Sequence, residues 1–356
     1  MSVFNIKNIL DDIYRADIPN KKNLVQLLNV KDAEKTEQIF DFADSVREKF
    51  VGNGLLLRGI VEFSNICINQ CLYCGLNRCN KSLERYELSQ NEIIKCVDKI
   101  AEKNIKTVVL QSGDYDFDAV WLNEIIQEIK RKHNIVITLS VGEKNYSSYK
   151  MWRKSGADRY LLKIETTDKN LYKALHPCMD YERRLVCLND LRELGYQVGS
   201  GIMVGLPKQT IESIADDIRF FKLNNFGMIG IGPFVSNPNT ELSNCKTIDV
   251  SLVLKTIALT RIVTKNTHMP VTTASVAIGL SNLKKGLLSG ANVFMPNFTP
   301  DDVKNLYDLY PGKNVDPENS DFDMKYVLKT ARIMGRAIDY SFGDCKNWEH
   351  VRCVNV

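Results

Sequence analysis

The chain has 356 residues, 44% of them hydrophobic and 25% charged, so it can bury a sizeable core as one large domain or two ordinary ones. Its net charge is +4, from 47 basic and 43 acidic residues, which is too balanced to indicate a nucleic acid or an anionic membrane as partner. We expect a cytoplasmic protein, because no apolar run approaches the roughly 20 residues of a membrane span and no signal-peptide core is present.

Residues 1–50 show apolar positions at three- and four-residue spacing, which predicts a helical N-terminal extension. From about residue 51 onward, short apolar runs rich in β-branched residues alternate with amphipathic helical segments. This alternation predicts βαβ units and a parallel sheet. The predicted strands are residues 56–63, 107–111, 135–139, 159–164, 198–204, 228–233, 270–276 and 292–295.

Eight such units in about 250 residues indicate an α/β fold of the closed (β/α)8 TIM-barrel type. An open doubly wound sheet is the alternative, but no GxGxxG follows the first strand to support a dinucleotide-binding version of it. We therefore expect a barrel over residues 51–300 and a C-terminal segment, residues 301–356, that closes it. Functional residues should lie where the strands end, at the C-terminal face of the barrel.

Three cysteines, Cys67, Cys71 and Cys74, follow the first predicted strand with the spacing CxxxCxxC. A structural zinc site needs four ligands, usually from two CxxC pairs, and residues 75–78 would have to double back for Cys79 to complete one. A four-iron cluster has four corners, each normally held by a thiolate. Three thiolates therefore predict a [4Fe-4S] cluster with one iron open to a substrate or cofactor.

The CxxxCxxC motif after the first strand of a (β/α) barrel resembles the radical S-adenosylmethionine (SAM) superfamily. The resemblance implies that the open iron binds SAM and that reduction of the cluster yields a 5'-deoxyadenosyl radical. It also implies a bystander role for Cys79. Arg184, expected at the SAM carboxylate, could instead be a solvated helix residue, and Tyr73 could be a packing aromatic. The expected cofactor-binding residues are Tyr73, Gln111, Ser112, Gly113, Ser140, Glu165, Arg184, Met203 and Gly230.

The motifs CLYCGLNRCNKSLERY, TVVLQSGD, MVGLPKQTI, GANVFMPNFTP and LYPGK closely resemble the HydE family of [FeFe]-hydrogenase maturases, over roughly residues 50–315. The resemblance implies assembly of the di-iron subcluster of the hydrogenase cofactor. The substrate would be a small anionic complex of iron with cysteine, carbonyl and cyanide ligands, deep in the barrel. The expected catalytic residues are Lys163, Thr272, Thr273 and Tyr310, with Ala274, Met295 and Pro296 in the same wall.

Two alternatives remain open at this point. A paralogue of HydE and methylornithine synthase could act on an amino acid, and a non-enzymatic scaffold could hold zinc. On the HydE interpretation we expect a monomer, a reductant protein and transient contact with other hydrogenase maturases as partners.

The chain departs from the HydE pattern at two places. Members of the family often carry three further cysteines after the PGK run, which bind an auxiliary cluster, but Val315, Asp323 and Tyr326 stand there instead. We therefore expect one cluster. Lys163 and Ile164 stand where an arginine and a histidine are expected before Glu165. A lysine keeps the positive charge but loses the bidentate fork of a guanidinium.

Overall fold

A computed structural model describes residues 5–246, 248–313 and 322–346 of the chain. The N-terminal extension forms three helices, α1 (Ile6–Arg15), α2 (Lys21–Leu28) and α3 (Ala33–Val51). Each begins at a side chain that accepts hydrogen bonds from the first turn, Asn5, Asn20 and Asp32 respectively. The predicted helical extension is therefore present.

The strands are β1 (Leu55–Leu57), β2 (Gly59–Ser64), β3 (Thr107–Ser112), β4 (Val136–Ser140), β5 (Ala157–Leu161), β6 (Gln197–Val204), β7 (Met228–Pro233), β8 (Val293–Phe294) and β9 (Ile338–Asp339). Strands β2 to β7 pair in parallel and in chain order, and β1 lies between β8 and β9. The first predicted strand is divided at Arg58 into β1 and β2, and β9 was not predicted.

The helices between and after the strands are α4 (Gln90–Glu102), α5 (Ala119–Lys132), α6 (Tyr146–Lys154), α7 (Lys169–Leu175), α8 (Tyr181–Glu193), α9 (Ile211–Asn224), α10 (Val250–Thr264), α11 (Thr273–Ala277), α12 (Asn282–Leu288), α13 (Asp301–Lys304) and α14 (Phe322–Ile333). Helix α3 packs along α10, and α2 packs against α9, so the N-terminal extension covers the outside of the barrel. In the described part of the chain, no helix combines the length and the apolar character that a membrane crossing needs.

The ring of strands closes through single bridges rather than through a full seventh strand. His268 and Val271 bridge to β7, Pro270 bridges to Val293 of β8, and Asn297 bridges to Ile60 of β2. This closure confirms the predicted (β/α)8 barrel. The predicted strand 270–276 is wrong over its second half, because Thr272 caps α11 and the chain turns into a helix there.

The N-terminal end of the barrel is covered by residues 342–344. The carbonyl of Phe342 accepts hydrogen bonds from Arg159 (2.6 Å) and Thr107 (3.1 Å), and that of Gly343 accepts one from Arg58 (3.1 Å). Arg58 immediately precedes β2, Thr107 begins β3 and Arg159 lies in the middle of β5, and both arginines are almost completely buried. A segment far along the chain therefore closes this end of the barrel.

Candidate functional site

A cavity of about 360 Å³ occupies the barrel at the C-terminal ends of the strands. The predicted residues that line it are Cys67, Cys71, Tyr73, Cys74, Gln111, Ser112, Ser140, Lys163, Glu165, Arg184, Met203, Gly230, Thr272, Thr273, Ala274, Met295 and Tyr310. Gly113, Pro296 and Cys79 do not line it. The structure thus brings nearly all of the predicted site residues around one space, while their individual roles stay predictions.

The loop that carries the three cysteines is held in shape by Arg85, which sequence reasoning missed. Its guanidinium donates hydrogen bonds to four carbonyl groups of this loop, those of Asn65 (2.7 Å), Leu76 (2.9 Å), Asn77 (2.9 Å) and Asn80 (3.3 Å). One cation therefore satisfies backbone acceptors at both ends of the loop. None of these four hydrogen bonds involves a cysteine thiol.

The end of β3 supports the same loop from the other side. The carbonyl of Asp114 accepts a hydrogen bond from the backbone N–H of Ile68 (2.8 Å), and its carboxylate accepts one from Asn69 (3.1 Å). At Gly113, an added Cβ would lie 2.1 Å from the carbonyl oxygen of Ile66. Gly113 therefore contributes by allowing close backbone approach rather than by lining the cavity.

The three thiols are partly buried, and burial raises the pKa of each of them, that of Cys74 to about 12. The pKa of Cys71 is raised further by the charges of Cys67 and Cys74, which shows that the three sulfurs lie near one another. The positive charge of a bound metal centre would favour the thiolate form of these cysteines.

The cysteine loop offers the three thiolates that the predicted iron-sulfur cluster needs. Within residues 5–246, 248–313 and 322–346, no three His, Cys, Asp or Glu side chains are placed to hold one ion. A four-iron cluster binds each thiolate through a different iron, so its ligands are spread over separate corners. Cys79 is exposed and lies outside the cavity wall, and its bystander role stays a prediction.

Tyr73 faces a histidine that sequence reasoning missed. The Nδ1 of His176 lies 2.7 Å from the carbonyl oxygen of Tyr172, and the Nε2 lies 2.8 Å from the Tyr73 hydroxyl. Burial lowers the pKa of His176 to about 4, so the ring is neutral at pH 7. Its Nδ1–H then donates to Tyr172, and its Nε2 accepts from Tyr73, which fixes the orientation of the tyrosine beside the cysteines.

Arg184 is buried, which excludes the alternative of a solvated helix residue. Its Nε donates a hydrogen bond to Glu143 (2.6 Å), and its Nη1 donates to the carbonyl of Lys163. The guanidinium lines the cavity while these contacts hold it rigidly.

Lys163 and Glu165 form an ion pair with each other, with the ammonium 2.9 Å from Oε2. Glu165 has a φ of +64°, a left-handed conformation that non-glycine residues rarely adopt and that occurs at functional sites. Ile164 between them is completely buried and does not line the cavity. The isoleucine that stands in place of the expected histidine therefore faces the core and not the cavity.

Two glycines open a groove between β6 and β7. An added Cβ at Gly201 would lie 2.2 Å from the carbonyl oxygen of Gly230, whereas one at Gly230 would meet nothing within 4 Å. Gly230 and the neighbouring Met203 both line the cavity. Gly230 therefore leaves open space in the cavity wall, and the expectation that SAM binds beside it stays a prediction.

Polar and charged side chains continue along the cavity wall. The Thr273 hydroxyl lies 2.5 Å from that of Tyr310. Lys313 forms an ion pair with Glu62 (2.6 Å), and Asn297 also donates to Glu62 (3.0 Å). Sequence reasoning missed this pair, although an acidic residue within the apolar run IVEF and a lysine at the end of LYPGK were visible signals.

The radical SAM superfamily model matches residues 61–221. Over 96% of its length the chain is 41% identical to the [FeFe] hydrogenase maturase subunit HydE of Thermotoga maritima, covering 97% of that protein. It is 28% identical to the 3-methylornithine synthase of Methanosarcina acetivorans, over 88% of each chain.

Among solved structures, methylornithine synthase (PylB) superposes with a TM-score of 0.81 at 24% identity, covering 93% of this chain and 97% of that one. The maturase HydG superposes with the same score at 18% identity, covering 98% and 78%. These two likenesses concern the fold alone. With its cysteine loop, its closed barrel and a 41% identical relative of almost equal extent, the chain belongs to the radical SAM superfamily and, within it, to the family of HydE.

Proposed function

We propose that this radical SAM enzyme is the HydE-type maturase of an [FeFe]-hydrogenase. The observation that carries the proposal is the 41% identity to HydE across 96% of the chain. The cavity supports it, because the residues that the HydE resemblance implies for the substrate wall, Lys163, Thr272, Thr273 and Tyr310, line the same space as the three cysteines.

As in other radical SAM enzymes, the cofactors are one [4Fe-4S] cluster and SAM. Cys67, Cys71 and Cys74 would hold the cluster, which when bound and reduced supplies the electron that cleaves SAM to methionine and a 5'-deoxyadenosyl radical. The chain itself positions the cofactor. Tyr73, fixed by His176, would orient the adenosine end, and Gly230 would leave room for the ring.

The substrate in this proposal is a small anionic complex of iron with cysteine, carbonyl and cyanide ligands. Lys163 would attract it, while the partly buried hydroxyl pair of Thr273 and Tyr310 would offer hydrogen bonds within the cavity. The cytoplasmic location, the monomeric state, the reductant protein and the contacts with other maturases stay predictions.

The proposal is tested by replacing HydE with this chain in an anaerobic maturation system that contains the other maturases and an apo-hydrogenase. We expect hydrogen evolution to be restored, and Cys71→Ala to abolish it. A chain that cleaves SAM to 5'-deoxyadenosine but restores no hydrogenase activity would refute the maturase assignment while leaving the radical chemistry intact.

A second candidate is a radical SAM enzyme that acts on a free amino acid. The specific observations that favour it are the lysine at position 163 in place of the expected arginine and the 28% identity to 3-methylornithine synthase. Consumption of an amino acid in step with 5'-deoxyadenosine formation, in the absence of any iron complex, would support this candidate over the maturase.

A further inference from the structure

A buried acid and a buried base face each other in the cavity wall. The ammonium of Lys313 lies 2.6 Å from Oε2 of Glu62, and their side chains are only 5% and 2% exposed. Both residues line the cavity that contains the cysteines. Neither residue belongs to the predicted cofactor site or to the predicted substrate wall.

The pair stands among polar groups of the cavity. Glu62 is in register with Gln111 on β3, which is in register with Ser140 on β4, so three polar side chains form one row across neighbouring strands. All three line the cavity. Asn297 donates to the same carboxylate oxygen as Lys313, and within the described part of the chain Oε1 accepts no hydrogen bond. One oxygen of this acid therefore remains for a donor from the cavity.

A buried ion pair selects ligands by their charge pattern. A ligand with a carboxylate alone can attract Lys313 only by leaving Glu62 buried without a cation, and a ligand with an ammonium alone leaves Lys313 unpaired. A zwitterion offers both charges at once. Its carboxylate can replace Glu62 as the partner of Lys313 while its ammonium replaces Lys313 as the partner of Glu62, so neither buried charge is left unpaired. An amino-acid headgroup has this pattern.

We propose that Glu62 and Lys313 bind the ammonium and carboxylate groups of an amino-acid headgroup carried by the substrate. This inference rests on the proposed function and deepens it, because it assigns two residues that would recognise the amino-acid part of the substrate. Lys313 also ties the wall that carries Tyr307 to β2, its ammonium lying 4.8 Å from the centre of the Tyr307 ring. A purely structural tie is the competing explanation, and the experiment separates the two.

The test uses the full chain with its cluster reconstituted anaerobically and with saturating SAM, which keeps the probes off the open iron. Calorimetry compares L-cysteine with 3-mercaptopropionate, which lacks the ammonium, and cysteamine, which lacks the carboxylate. We expect L-cysteine to bind at least about tenfold more tightly than either, since each deletion removes one charge-assisted contact. Equal affinities for the three compounds, or no binding of L-cysteine, would overturn the inference without any variant.

Two variants assign the contacts. Glu62→Gln should weaken L-cysteine about tenfold but tighten 3-mercaptopropionate, because no buried carboxylate is left without a cation, whereas Lys313→Met should weaken L-cysteine but tighten cysteamine for the converse reason. Lys169→Met, which breaks the exposed pair with Glu182, is the matched control and should change none of the affinities. If both cavity variants fold and bind L-cysteine like the unmodified chain, the pair is a structural tie.

Failure of this inference can be told apart from failure of the proposed function. Maturation by the unmodified chain with no preference for a zwitterionic probe would remove the headgroup site and keep the maturase. Selective binding of L-cysteine by a chain that matures no hydrogenase would keep the site and favour an amino-acid substrate instead.

Discussion

The ammonium of Lys163 and the carboxylate of Glu165 neutralise each other across 2.9 Å in the cavity wall. From the sequence, each was expected to meet a ligand of opposite charge. A substrate anion at Lys163 must therefore compete with Glu165, or the carboxylate must turn to a cationic group of the ligand at the same time. Glu165 thus competes with any anionic ligand for the ammonium of Lys163.

Replacing Lys163 by methionine keeps the stem of the side chain and removes the charge. We expect the affinity for the substrate to fall about tenfold to hundredfold, since one charge-assisted contact contributes roughly 1.5 to 3 kcal/mol. Lys163→Arg should be tolerated or even improve maturation, because it restores a bidentate fork. Titration of the maturation assay with substrate measures the change. Normal maturation by the methionine variant would show that Lys163 is not the anion anchor.

Replacing any one of Cys67, Cys71 and Cys74 by alanine should abolish cluster binding, because each would hold a different iron. Cys79→Ala is the control, since this exposed residue lies outside the cavity wall, and it should retain most of the iron. Iron and sulfide analysis after anaerobic reconstitution checks both. Full iron content in Cys71→Ala would be incompatible with the assignment.

Iron should saturate near four atoms per chain, the content of one four-iron cluster. The positions where an auxiliary cluster is expected in the family carry Val315, Asp323 and Tyr326, although Val315 and the side chain of Asp323 lie outside the described residues. Iron analysis with Mössbauer spectroscopy measures the number. A reproducible value near eight would mean that other ligands, such as Cys345 with the undescribed Cys353, build a second site.

Two glycine-to-alanine variants should behave in opposite ways. Gly230→Ala adds a methyl group that meets nothing within 4 Å, so folding and cluster content should persist while SAM binding weakens. Gly113→Ala places its methyl group 2.1 Å from a backbone oxygen of the cysteine loop, so cluster content should fall. SAM titration and iron analysis on both proteins separate the effects. Unchanged SAM affinity in Gly230→Ala would remove this groove from the cofactor site.

Asp217 should make stability depend on pH. Burial raises its pKa to about 7, although Thr167 donates two hydrogen bonds to Oδ1, each 2.6 Å long. The folded state then holds this proton more tightly than the unfolded state, so the free energy of unfolding falls as pH rises from about 4 through 7. Asp217→Asn should be the more stable protein at pH 8, by roughly 1 to 3 kcal/mol.

Denaturant unfolding of both proteins under anaerobic conditions at pH 6 and pH 8 measures the difference. The loss of stability between these two values should be smaller in Asp217→Asn. An identical loss in the two proteins would mean that Asp217 does not titrate in this range.

The sequence was sufficient for the barrel and for the cysteine loop because both depend on local signals, namely periodicity and spacing. It was misleading for residues 270–276, where the β-branched residues indicated a strand although Thr272 caps α11. It could not supply contacts between distant parts of the chain. Lys313 lies 251 positions from Glu62, and the role of Arg85 is carried by backbone carbonyls, which every residue possesses.

The segment at residues 342–344 covers the N-terminal end of the barrel, so in the part of the chain that the structure describes the cavity opens toward the C-terminal end. Among the donors to this segment, Arg58 precedes β2 and Thr107 begins β3, whereas the cysteines follow the C-terminal end of β2. Substrate and products must therefore pass the C-terminal end of the barrel, where SAM is expected to bind. SAM and a substrate that lies deeper in the barrel therefore share one route to the cavity, so residues at this end influence the access of both.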